Sequence, residues 1–193
     1  MKKGYINRKQ SGVSLIEILV TTLVLGVGLL GVASLQVASV SSNQEGLFTS
    51  QATSIAEDLA SRIRSAKMVT MVPNSETDHL SFVNEYVVVG EIACDVNSPP
   101  TNLCRRNGAS ASANCSFADV AIYDRWEVCV NASTTLPQGK VRIVNVGNRV
   151  SLVVDWNSIT EKMDLGTKKI VNVDCVGVTG DADRNCVMLE IVP

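Results

Sequence analysis

The sequence predicts an α+β fold, a lollipop in which one long N-terminal helix carries a single head, and three observations lead there. From Val13 to Val40 the only charged residue is Glu17, in a run of Val, Leu, Ile, Gly, Ala, Ser, Thr and one Gln. At helical rise this run exceeds the roughly 20 residues that span a bilayer core. Next, Phe48, Ala52, Ile55, Leu59, Ile63 and Ala66 recur at helical spacing, while Glu57, Ser61, Arg64 and Ser65 fall largely off that face. The helix therefore continues in amphipathic form over 44–69, until Val72-Pro73-Asn74 ends it. Finally, Lys140 to Val146 and Arg149 to Trp156 alternate around Gly147-Asn148, a two-residue hairpin signal. The apolar stripe of the helix needs an antiparallel sheet to cover it.

The segment before the apolar run holds Lys2, Lys3, Arg8 and Lys9 and no acidic residue. That bias predicts a single-pass N-in, C-out topology with the head outside. A secretory signal peptide also has a basic start, and Gly31-Val32-Ala33 could serve as its cleavage site. Its apolar region, however, should be only ~7–15 residues long, and it has no use for a carboxylate near the start. An ionisable residue inside a membrane helix is by default functional and has a partner. Glu17 is therefore the first candidate functional residue. Gly26, Gly28 and Gly31 fit either close packing or a segment built to bend.

In the head, Leu80 to Val89 has the aromatic and β-branched content of a strand, and Cys94 to Cys115 reads as a cysteine-tethered loop. Ser116-Phe117-Ala118-Asp119 has capping-box order and predicts a helix over 116–132, although a strand through Trp126–Val130 fits the same residues. Leu136-Pro137-Gln138-Gly139 is a turn. After the hairpin, Ser158 to Lys169 reads as a polar excursion, and Ile170 to Val178 and Cys186 to Val192 as the last two strands. An antiparallel sheet of at least four strands follows. Trp126 and Trp156 are expected as core anchors. Arg62 and Arg64 are expected on a solvated helix edge.

Net charge is −2, from 17 Lys and Arg against 19 Asp and Glu, so no basic field recruits nucleic acid. All six cysteines lie between Cys94 and Cys186, on the oxidising side of the predicted topology, where an even number predicts disulfides. Cys175 and Cys186 close a turn-rich loop and are predicted to pair. Cys94, Cys104, Cys115 and Cys129 should form two bonds, among which the sequence does not choose. No two cysteines stand at zinc-ligand spacing, and His79, in the polar turn Thr77-Asp78-His79, is the only histidine. Asp181, Asp183 and Asn185 begin like a calcium loop, but Cys186 and Val192 replace its turn glycine and bidentate Glu. No cofactor is expected, and no nucleophile or paired-carboxylate motif suggests an enzyme.

Gly12-Val13-Ser14-Leu15-Ile16-Glu17 resembles the processing site of type IV prepilins, with Val13 where Phe is usual in that family. The resemblance implies cleavage between Gly12 and Val13 by a prepilin peptidase, N-methylation of Val13, and a role for Glu17 in assembly. It divides the chain into a leader at 1–12, a transmembrane or filament-core helix at 13–40, and a pilin-like periplasmic head at 41–193. Gly28 to Gln36, Gln51-Ala52 with Ala56 to Arg64, and Cys115-Ser116 with Ala121, Tyr123-Asp124, Trp126 and Leu136–Gly139 are similar to PilV-type minor pilins. That narrower resemblance implies a low-abundance pilin of the bacterial inner membrane, and of the pilus after assembly. It would join other minor and major pilins and the inner-membrane assembly machinery, with effects on adhesion or motility. A type II secretion minor pseudopilin shares the leader and helix, and a non-polymerising membrane-anchored periplasmic binding domain is the reading from another class.

Overall fold

In the computed structural model, which describes residues 12, 14–70, 83–92, 95–104, 115–146, 149–158, 163–164, 167–168 and 172–192, the apolar run and the amphipathic stretch form one helix, α1 (Leu15–Thr70). No proline falls within it, so no amide is missing from its ladder. Its hydroxyls turn back on their own backbone: Thr21 Oγ1 donates to the Ile18 carbonyl (2.9 Å), Thr53 Oγ1 to Thr49 (2.8 Å) and Ser65 Oγ to Ser61 (2.8 Å). Polar side chains satisfied in this way need no outside partner. The chain divides into two compact units, Met1–Asn43 and Gln44–Pro193, and α1 contributes to both.

Within the first unit every described residue of α1 up to Val40 is exposed, including Leu29 and Leu30 at 69% and 72%. It is one helix long and apolar enough to cross a membrane. Within the second unit the same helix buries Ala52, Ile55, Ala56, Leu59, Ala60 and Ile63. These join Val141, Ile143, Val150, Leu152, Val154, Trp156 and Ile191 of the sheet in one core.

The head's remaining elements are α2 (Phe117–Thr135), β1 (Lys140–Val146), β2 (Arg149–Asn157), a two-residue pair β3 (Met163–Asp164) and β4 (Thr167–Lys168), α3 (Val173–Thr179) and β5 (Arg184–Ile191). The main sheet is antiparallel in the order β1-β2-β5, with Lys140 opposite Asp155, and Val150 opposite Ile191. β2 is central and is buried from Val150 through Trp156. Ser116 caps α2 by a reciprocal box: its hydroxyl accepts the Asp119 amide (3.2 Å) and the Asp119 carboxylate accepts the Ser116 amide (2.9 Å). Helix, not strand, is thus the state of 117–135. The turn that follows requires Gly139, where a Cβ would lie 2.1 Å from the Ala132 carbonyl oxygen.

Parts of two expected strands are helical instead, while residues 80–82 and 170–171 lie outside the described residues. Residues 83–86 form a helical turn with Val83 and Tyr86 buried and Asn84 and Glu85 exposed, a spacing of three that alternation cannot produce. The chain then runs irregularly beside β1, through the Val88 amide on the Ile143 carbonyl (3.3 Å), a Glu91–Arg142 bridge and the Ile92 amide on Val141 (2.9 Å). The segment expected as a strand over 170–178 contains α3. The Asn172 side chain accepts the Asp174 amide (3.1 Å), and Gly180, at φ 74°, closes the helix in the left-handed region. These local caps outweigh the β-branched content of Val173, Val176 and Val178. Among the described residues the main sheet therefore has three strands rather than four.

Candidate functional site

The N-terminal motif sits at the start of α1. Gly12 is exposed with no atom within 4 Å of where a Cβ would stand, and Val13 lies outside the described residues. The Ser14 carbonyl accepts the amides of Glu17 (3.0 Å) and Ile18 (3.3 Å), which opens the helix, and Glu17 lies exposed in its first turn. Two physical consequences follow. A carboxylate there stands in the first turn of the helix, the end at which the helix dipole favours negative charge. It also stands four residues from the α-amino group that a cut behind Gly12 would create. Ser14-Leu15-Ile16-Glu17 has capping-box order as well, a local reason for Glu17 that sequence reading had passed over.

The described cysteines are all bonded. Cys104 joins Cys115 with Cα atoms 5.9 Å apart, and Cys175 joins Cys186 at 5.7 Å. Cys129 is also disulfide-bonded, while Cys94 lies outside the described residues. The Cys175–Cys186 bond links α3 to β5 rather than strand to strand, and a loop of that size stabilises by about 2–3 kcal/mol in the chain-entropy account. Asp181 and Asp183 stand in the turn before β5, where Asp181 Oδ1 accepts the Asp183 amide (3.0 Å). Among the described residues no cluster of His, Cys, Asp and Glu could hold a metal ion. His79 lies outside the described residues.

Sequence reading missed two charged clusters in the head. Arg62, expected on a solvated edge, is 16% exposed and pairs with Asp58 (3.0 Å), with the wholly buried Asp124 (3.1 Å) and with Glu127. Tyr86 completes the cluster by donating to Asp124 (2.7 Å). Burial alone would lower the Arg62 pKa, but the Glu127 hydrogen bond, the charges of Asp58 and Glu127, and the Asp124 hydrogen bond outweigh it and hold the guanidinium above its ordinary value. This clasp ties the outer half of α1 to α2. The Asp58–Arg62 spacing of four was its only local signal.

In the second cluster the buried Asp155 accepts from Arg142 Nε (3.2 Å) and from Arg184, itself 4% exposed. Arg184 also donates to Asn157 Oδ1 (2.8 Å) and the Gln138 carbonyl (2.7 Å), which joins β2 and β5 to the turn before β1. Trp156 is fully buried, as a core anchor should be. Trp126 is only half-buried, with its indole N–H on the Asp95 carbonyl (2.9 Å).

Residues 7–33 match the family model of the prokaryotic N-terminal methylation motif. No curated protein and no solved structure matches this chain. The matched residues cover the cleavage motif and most of the exposed apolar helix, and none of the head. They carry a type IV prepilin-like signal, which supports a type IV pilin-like or pseudopilin protein, a structural rather than enzymatic kind, with processing by prepilin peptidase, membrane anchoring and assembly into a pilus or pseudopilus as its implications.

Proposed function

We propose that the chain is a minor type IV pilin of the PilV type, held in the bacterial inner membrane with its N-terminus cytoplasmic and its head periplasmic, and incorporated into pili. The observation that carries this reading is the joint occurrence of Gly12 and Glu17 at the head of a helix whose residues 15–40 are exposed on every side. A surface apolar all round has to be covered by lipid or by other subunits. The stretches 51–64 and 115–139, similar to PilV-type minor pilins, support the narrower assignment.

In this mechanism prepilin peptidase cuts between Gly12 and Val13, and Val13 is N-methylated. The new terminal amine and Glu17 are opposite charges near the start of an apolar helix, each costly in a dry filament core unless paired. Glu17 of an incoming subunit meets the terminal amine of a neighbouring major or minor pilin and sets axial register as the subunit leaves the membrane. Glu17→Ala should be inserted and cut but fail to enter pili, whereas Gly12→Val should accumulate uncut in the membrane. Immunoblots of membrane and sheared-pilus fractions test both. Recovery of Glu17→Ala in pili at the wild-type level would overturn the pairing mechanism. A type II secretion pseudopilin would use the same motif, and recovery of the wild-type chain in sheared pili separates the two.

A further inference from the structure

The head holds a cavity of about 420 Å³ whose apolar wall is formed by Val88, Ile92, Pro100, Ile122 and Trp126. That volume falls within the roughly 300–1,000 Å³ of small-molecule sites. Three polar residues complete the lining: Asp95, Ser98 and Arg125. Two of them are already engaged with the loop. Asp95 Oδ1 accepts the Asn97 amide (2.9 Å) and Oδ2 the Ser98 hydroxyl (2.8 Å), bonds that hold the carboxyl below its ordinary pKa. The Trp126 indole N–H is committed to the Asp95 carbonyl, which leaves its ring as wall.

Arg125 is different. It is half-buried, and among the described residues it makes neither an ion pair nor a hydrogen bond. Burial pushes its guanidinium below the ordinary value, and Glu85 acts on it only at longer range. A neutral apolar guest would desolvate this cation further without compensation. A bare inorganic anion would leave the indole and aliphatic wall unfilled. Both requirements are met by a carboxylate attached to an apolar body, since the guanidinium presents a planar fork of donors that matches a carboxylate.

We propose that the cavity binds a small organic acid, with an aromatic or branched aliphatic body against Trp126, Ile122 and Ile92 and its carboxylate on Arg125. The inference rests on the head alone and is independent of the pilus reading.

The test uses the full chain, ¹⁵N-labelled in detergent micelles, where the two tryptophans give two indole N–H resonances assigned by Trp126→Phe. The probes are 3-phenylpropionate and its neutral amide. The acid should shift the Trp126 resonance saturably, Arg125→Gln should weaken binding by about tenfold or more, and Arg125→Lys, which keeps the charge but loses the planar fork, should bind more weakly than the native chain and more tightly than Arg125→Gln. The resonance of buried Trp156 reports in each variant that the head is folded. No saturable shift with the acid, equal binding of acid and amide, or full affinity in a folded Arg125→Gln would overturn the proposal.

Discussion

Two stretches of one helix meet opposite fates. Between Leu15 and Val40, α1 is apolar on every side and exposed on every side; between Ala52 and Ile63 its apolar residues fall on one stripe and vanish into the head. Backbone geometry is the same in both, so the difference lies in side-chain periodicity. A stripe can be covered by one sheet, while an all-round apolar surface has to take its surroundings from outside the chain. The charges follow the same division. Among the described residues Glu17 meets no cation, whereas Arg62 is held by three carboxylates. A charge that the fold pairs is a structural device, and a charge left at the head of an apolar helix is a candidate for contact with another molecule.

The largest expected effect tests the paired charge. Arg62→Ala leaves Asp124 buried without its cation and should destabilise the head by about 3–5 kcal/mol, read as a shift of the urea midpoint of the oxidised protein. A loss below about 1 kcal/mol would mark the clasp as an ordinary surface pair. Next comes a matched pair of leucines. Leu59→Ala, at a wholly buried position, should lower head stability by about 2–5 kcal/mol. Leu29→Ala, exposed in the first unit, should leave that unfolding transition within about 0.5 kcal/mol. Equal effects from the two would erase the distinction between the halves.

The smallest effect concerns acid. Hydrogen bonds from the Ser116 hydroxyl, then from Asn102 and the Ser116 amide, hold Asp119 below its ordinary pKa, and a hydrogen bond from Lys140 does the same for Glu91. A depressed carboxylate contributes stability that is fully present above its unfolded value, near pH 4, and lost as pH falls through the folded one. The melting temperature of the head should therefore decline progressively on acidification below about pH 4. Asp119→Asn should melt lower at neutral pH and decline less steeply in acid. An unchanged slope would remove the cap from the account.

What the sequence made legible were the features written in periodicity and local motif: α1 with its two halves, the Ser116–Asp119 box opening α2, and the hairpin of β1 and β2. Two helical segments were misread as strands because Tyr86, Val87 and Val88, and later Val173, Val176 and Val178, carry β-propensity. The deciding signals there were burial at i and i+3 for Val83 and Tyr86, and the caps Asn172 and Gly180. Arg62 was misjudged for a different reason. Its partners Asp124 and Glu127 lie more than sixty residues away in sequence and meet it only when α2 docks on α1. Arg125 gave no local sign, since a cation unpaired among the described residues is defined by what surrounds it in space.

The central claim is that the leader ends at Gly12, and the most direct measurement is the N-terminal identity of the protein recovered from bacterial membranes, by mass spectrometry of its first peptide. The account predicts a chain that begins at Val13 with a methylated α-amine. A chain that still begins at Met1, or that begins at Ser34 after a cut behind Gly31-Val32-Ala33, would contradict it.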